Sequence, residues 1–247
     1  MFCKKDYIWV GGKHSVITLI NSNKYKVLEI FLKNKENIKN IPQKYQIITQ
    51  TKNNNFFEKL FSKNKINHQG YAVKIVLKNK YLQDLKQDIK NIHAAVILDN
   101  IYDNRNIGSI LRSAAAFNFD TIIIEEKKFN FDEQLMHKTS SGGINFVNIY
   151  RVKNIKHAIN LLKENQFYIY AVSGNGKDNI RDIKFEKKIG LIFGSEDKGI
   201  RKTVLESADI SVNIPINKRM ESLNLSNAAA ITFYEIKKTR WLLSGFF

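Results

Sequence analysis

The sequence predicts an α/β fold, a parallel-sheet domain preceded by a small, basic α/β domain. Three observations carry that expectation. From Ala94 onward, short apolar runs alternate with segments of helical periodicity, the pattern of strand–helix–strand units. The 247 residues, 43% of them hydrophobic, suffice for one large domain or two modest ones. Charge is unevenly spread: residues 1 to 90 hold 18 Lys and Arg against 6 Asp and Glu, so +12 of the chain's +17 lies in the first third.

In the first module, the strand candidates "YKVLEIFL", "YQIITQ" and "YAVKIVLK" are interleaved with the helical candidates "GKHSVITLIN" and "NNFFEKLFSK". Together they make a unit of about 80 residues, a size that folds alone, expected over residues 1–80. A lysine-rich segment, "KNKYLQDLKQDIKN", follows, with residues 81–92 expected as a linker and 93–247 as the larger domain. There, "AAVILD", "TIIIE", "FYIYAVSG", "IGLIFG" and "ISVNIP" are short, continuous and bounded by Gly, Asn or Asp, as strands buried on both faces are. Between them, "NIGSILRSAAAF", "NIKHAINLLKEN" and "IRKTVLES" carry apolar residues at helical spacing. Ligands of such sheets bind beyond the carboxyl ends of the strands, so the residues just after each strand are where chemistry is expected.

Several classes are disfavoured. Cys3 is the single cysteine, so no intrachain disulfide is possible. No apolar run reaches the roughly 18 residues of a membrane span, and the start "MFCKKDYIWVGGKH" has no apolar segment of a secretory signal. A soluble, cytoplasmic protein is expected. His14, His68, His93, His137 and His157 form no i,i+4 pair, and no metal is expected. In "SGNGKD" the Gly-Lys pair is followed by Asp178 where a phosphate loop has Ser or Thr, so it reads as a strand-end turn. No strand is followed by G-x-G-x-x-G, which argues against a nicotinamide-dependent enzyme. The basic first third points to a polyanion.

Three strand-end stretches remain. After "AAVILD" come Asn106, Gly108 and Arg112, with Asn106 a candidate cap of the following helix. "IGLIFG" ends in Gly194 and leads through Glu196 to Gly199. After "ISVNIP", the stretch "IPINKRMESLNLSNAAA" carries Ser222, Asn224 and Ser226 into an alanine run. Each alone reads equally as a turn, a cap or a surface ion pair. In this order, Asn106-x-Gly108-x-x-x-Arg112, Gly194-x-Glu196-x-x-Gly199 and Ser222-Leu223-Asn224-x-Ser226 resemble the three motifs of the SpoU (TrmH) family of RNA ribose 2'-O-methyltransferases. "KTSSGGINF" resembles that family's Ser-Gly-Ala turn, with Gly143 in place of Ala. "GGKHSV" and "HQGYAV" resemble the ribosomal-protein-like RNA-binding domain of members acting on large-subunit ribosomal RNA. Asn104 stands where the family usually has proline, and Asn227 where a small apolar residue is common.

The resemblance implies a SPOUT fold, a parallel sheet whose carboxyl-terminal segment forms a trefoil knot, and a homodimer with sites completed across the interface. It implies S-adenosylmethionine as cofactor, held around Gly194, Ile214 and Leu223. The implied reaction is methylation of a ribose 2'-hydroxyl, on guanosine of large-subunit ribosomal RNA. Arg112 is the implied key residue, orienting a phosphate and stabilising alkoxide charge with Asn106, Ser222 and Asn224, while Glu196 holds the site's shape or pairs with Arg112. The alternatives are a transfer-RNA ribose methyltransferase and a non-catalytic RNA-binding ribosome-assembly protein on the same scaffold.

Overall fold

The computed structural model describes residues 7–62, 67–77, 79–126 and 132–244. Cys3 and the last residue of the candidate helix 54–63 lie outside them. The chain divides into two units, Met1–Lys78 with Phe131–Phe146, and Asn79–Asn130 with Val147–Phe247.

In chain order the elements are β1 (Tyr7–Gly11), α1 (Lys13–Ser22), β2 (Lys26–Leu32), α2 (Gln43–Gln46), β3 (Thr49–Thr51), α3 (Asn54–Phe61) and β4 (Tyr71–Val76). They continue with β5 (Lys80–Tyr81), α4 (Leu82–Asp88), β6 (Ala94–Asp99), α5 (Asn104–Ala116), β7 (Thr121–Glu125), α6 (Glu133–Thr139) and β8 (Asn148–Val152). The last are α7 (Ile155–Glu164), β9 (Tyr168–Val172), β10 (Asp178–Asn179), β11 (Ile189–Gly194), α8 (Lys202–Leu205), β12 (Ile210–Asn213) and α9 (Leu225–Ser244).

The first unit is built on a four-stranded sheet of order β1-β4-β2-β3, in which β4 runs antiparallel to both neighbours. One face buries Val10, Ile30, Leu32, Val73 and Ile75 against Val16, Leu19 and Ile20 of α1. On the other, Phe57 and Phe61 of α3 pack with Phe31 and Ala72. The run "YQIITQ", expected as a strand, is split between α2 and β3. Pro42 precedes α2 with φ −52°, and its carbonyl accepts from the Tyr45 amide at 2.8 Å, so the chain turns helically before it can extend. The "KTSSGGINF" stretch is the end of α6 and a 3-10 turn, Gly143–Phe146, and its segment groups with this first unit.

The second unit carries an eight-stranded sheet of order β10-β12-β9-β11-β6-β7-β8-β5, every pair parallel. All five expected strands are present, and β5, β8 and β10 extend the sheet beyond them. The polar residues within "NIYRV" of β8 disguise it. Residues 81–92, expected as a linker, are instead α4 and a 3-10 turn, with Leu85, Ile89 and Ile92 buried in the core beside Ile97, Ile123 and Ile159. Because the sheet is parallel, β6, β9, β11 and β12 all end on one side, where the loops toward α5, α8 and α9 begin.

Candidate active site

The loop after β6 enters α5 through Asp103, whose carboxylate accepts from the Arg105 amide at 2.8 Å. Asp103 therefore caps the helix, and Asn106, expected as the cap, lies inside the first turn. Asn104 occupies the first helical position, where proline's lack of an amide hydrogen is harmless, so its substitution for proline leaves the helix start intact.

After β11 the chain folds back at once. The Gly199 amide donates to the Ser195 carbonyl at 2.8 Å, and Gly199 has φ +62°, a conformation side chains rarely adopt. A Cβ on Gly194 would fall on the Gly199 carbonyl carbon and the Ile200 nitrogen, both backbone atoms. Only glycine at 194 permits this close approach.

The strand ends border an open cleft, at the place where parallel sheets bind their ligands. Ser173 and Gly174 after β9 form one wall, Gly194 and Glu196 another, and Ile214, Ser222 and Leu223 after β12 a third. The "SGNGKD" stretch is a turn, its Gly176 amide donating to the Ser173 carbonyl at 3.0 Å. Its position as a cleft wall was not read from the sequence, although it follows a parallel strand as the other two stretches do.

Glu196 joins these stretches. Its Oε1 accepts from Asn224 Nδ2 at 2.6 Å and from the Leu225 amide at 3.2 Å, and its Oε2 from Asn106 Nδ2 at 3.3 Å. Asn224 Nδ2 also donates to Asn106 Oδ1 at 3.2 Å. The Asn224 Oδ1 accepts from the Ser226 amide at 3.0 Å and the Asn227 amide at 3.4 Å, capping α9. A carboxylate beside the first amides of a 20-residue helix is favoured by the helix dipole.

Of the expected residues, Asn106, Glu196 and Asn224 are thus bonded to one another, and Gly194, Ile214, Ser222 and Leu223 line the cleft with Glu196. Arg112 is not drawn in. It is exposed on α5, with no hydrogen bond or ion pair among the described residues. Glu196 bonds Asn106, Asn224 and the Leu225 amide, and no bond to Arg112 forms. At 100° per residue, six positions set Arg112 about 120° away from Asn106 around the helix.

Sequence reading also missed Asp99 at the end of β6. It is fully buried and accepts from Arg201 Nε at 2.7 Å and the Arg201 amide at 2.8 Å. The guanidinium also meets Glu125 at 3.1 Å. The hydrogen bond to Asp99 raises the Arg201 pKa. This pair ties the start of α8, and the loop before it, to the neighbouring strands.

Comparison with known proteins agrees with this architecture. The profile of the SpoU rRNA Methylase family matches residues 93–234. The chain belongs to that family. An "Uncharacterized tRNA/rRNA methyltransferase" of Borreliella burgdorferi is 38% identical to this SpoU-family protein over 202 residues, 77% of this chain and 87% of the relative. Among solved structures, the AdoMet-bound rRNA methyltransferase of Sinorhizobium meliloti superposes with a TM-score of 0.79 at 20% identity, covering 94% of this chain and 87% of that one. The SpoU methyltransferase AviRb of Streptomyces viridochromogenes, in complex with AdoMet, gives 0.75 at 17% identity, covering 95% and 90%. The likeness of fold to these structures spans 94–95% of this chain, and the family is one of RNA methyltransferases.

Proposed function

We propose that this protein methylates a ribose 2'-hydroxyl of RNA with S-adenosylmethionine as donor, and that its target is a guanosine of large-subunit ribosomal RNA. The observation that carries the reading is the Asn106–Glu196–Asn224 network, which takes one residue from each of the three stretches that resemble the family's motifs, at the edge of a strand-end cleft that Glu196 lines. The amino-terminal third, with +12 of the net charge, suits an RNA-binding role.

The cleft fits the cofactor. Gly194 brings bare backbone to its wall, while Ile214 and Leu223 supply the apolar surface an adenine ring requires. These three residues would hold it. When bound, S-adenosylmethionine supplies an electrophilic methyl group on its sulfonium.

The protein's own groups supply alignment and charge stabilisation. Glu196 already accepts from three donors, which suits it to fixing Asn106 and Asn224. The exposed Arg112 guanidinium is free to meet an RNA phosphate and to stabilise negative charge developing on the ribose oxygen, with Asn106, Ser222 and Asn224 as neutral donors. A guanidinium, which keeps its proton in proteins, is itself a poor base. Ile231 and Tyr234 on α9 are 41% and 51% exposed, and this apolar face suits the packing of a second copy, consistent with a homodimer.

The test is tritiated methyl transfer to ribosomal RNA and to transfer RNA, followed by an alkaline ladder of the product. Resistance to cleavage at one nucleotide is expected, because a methylated 2'-oxygen cannot attack the neighbouring phosphate. A methylated but alkali-sensitive product would refute the ribose assignment, and transfer to transfer RNA alone would move the substrate. Arg112→Ala should lower the rate on the order of 10²–10³-fold while sparing cofactor affinity.

A further inference from the structure

One face of the first unit's sheet is neither covered like a core nor polar like a solvated surface. Strand pairing fixes its membership. Tyr7 stands opposite Val76, Trp9 opposite Lys74 and Gly11 opposite Ala72 on the β1 side, and Lys26, Glu29 and Phe31 stand opposite the same three residues on the β2 side. Directly opposed residues share a face, so all of these project to one side, away from the face packed on α1. The small Ala72 lets Trp9 and Phe31 meet across β4, stacked at 5.1 Å with planes 22° apart. Phe56 of α3 stands edge-on to Phe31 at 4.8 Å.

Helix α3 covers only one end of this face, where Phe57 and Phe61 are buried. The other end is open, with Tyr7 51% exposed and Lys26 exposed at the edge. Cations border the rings. Lys74 Nζ lies 4.3 Å from the Tyr7 ring centre and 5.5 Å from that of Trp9, and Lys52 Nζ lies 5.2 Å from Phe31. Glu29, bonded to Lys74 at 2.8 Å, keeps that lysine along the sheet.

The partly open rings of Tyr7 and Trp9, with Phe31 buried beside them and lysines along the border, combine the two elements by which proteins hold single-stranded nucleic acid: π-faces for unstacked bases and ammonium groups for the phosphates between them. A duplex, with its bases already stacked, has nothing to place on the rings. We propose that the Tyr7–Trp9 face of the first unit is a stacking platform for unpaired bases of the RNA substrate, with Lys26, Lys52 and Lys74 contacting its backbone. The occupant is single-stranded RNA because the surrounding third of the chain is strongly cationic, which favours a polyanion over a neutral protein partner. This inference rests on the RNA-directed reading above and names where, and in what form, that RNA is held.

The experiment uses the full chain carrying Trp241→Phe, so that Trp9 is the sole indole, and a single-stranded RNA oligonucleotide of about a dozen nucleotides. Binding is followed by anisotropy of the labelled oligonucleotide and by Trp9 fluorescence. The expected result is quenching of Trp9 at saturation, and a loss of about ten-fold in affinity for Tyr7→Ala with an unchanged salt slope, since no phosphate contact is removed. Lys26→Ala should lower that slope by about one while leaving the quenching intact. Binding without quenching, or equal quenching by a duplex of the same sequence, would overturn the platform, and so would an unaltered affinity for Tyr7→Ala. Methyl transfer is assayed on the same proteins. Absent transfer with quenching intact would strike the enzymatic reading and leave the platform standing, whereas transfer without quenching would do the reverse.

Discussion

Replacing Gly194 by alanine adds one methyl group where the structure has no room for it. The Cβ would overlap the Gly199 carbonyl carbon and the Ile200 nitrogen. Both belong to the backbone of the fold-back loop, whose closure is the 2.8 Å bond from the Gly199 amide to the Ser195 carbonyl. A side chain could rotate out of the way, but this loop cannot give without breaking that bond or displacing Glu196 from Asn106 and Asn224. Overpacking of this kind costs typically 1–3 kcal/mol, which for a chain of this size lowers Tm by several degrees. The larger effect is on the cleft, because the displaced loop is its wall. Cofactor affinity should fall on the order of ten-fold or more, read by calorimetry beside a melting curve. Gly174→Ala is the control, for a Cβ there meets nothing within 4 Å and should leave Tm unchanged. Wild-type stability and affinity in Gly194→Ala would refute the claim that close backbone approach at this position builds the site.

Three further outcomes are expected. Glu196→Gln keeps the size of the side chain but sets an amide N–H against the donors of Asn106, Asn224 or Leu225; kcat should fall on the order of 10–10²-fold through misalignment, with Tm nearly unchanged because Glu196 is exposed. Asp99→Ala removes the buried partner of Arg201 and should cost about 2–3 kcal/mol in denaturant unfolding, below the full price of a broken buried pair because the Arg201 side chain is 29% exposed and can hydrate. His137 is 1% exposed and its ring nitrogens make no hydrogen bond among the described residues; burial first, then the charge of Lys24, lowers its pKa from 6.5 to about 3. The unfolded chain therefore takes up this proton before the folded one does. Stability present above about pH 6.5 should decline toward pH 3 by up to about 1.4 kcal/mol per unit, and His137→Leu should flatten that part of the profile.

The central strands of the large sheet were legible because each is a continuous run of β-branched and aromatic residues, the signature of burial on both faces. Strand β8 was not, since "NIYRV" mixes polar residues into the run, nor was α4, whose lysine, glutamines and aspartates hide Leu85 while Ile89 and Ile92 follow in the next turn. Local spacing located the three site stretches but not their bonds. Asn106 and Glu196 are 90 residues apart and Asn106 and Asn224 are 118 apart, so their meeting is a property of strand order, which periodicity does not encode. Asp99 was overlooked for a related reason. At the end of an apolar strand it reads as a boundary residue, and only its partner 102 positions later makes it a buried ion.

The composition of the last stretch follows from what Asn224 has to do. Its Oδ1 ends the unpaired amides of α9, while its Nδ2 bonds both Glu196 and Asn106. An aspartate would cap the helix equally well but would set a carboxylate against Glu196. A serine would cap it but is too short to reach both partners. Asparagine alone among the good caps offers an acceptor and two donor hydrogens at that reach. The same reasoning explains why Arg112 stands apart. Had Glu196 been satisfied by a guanidinium, the three strand ends would be locked by the one cation the proposed reaction needs for a phosphate. Neutral amides around one carboxylate join them and leave that charge available.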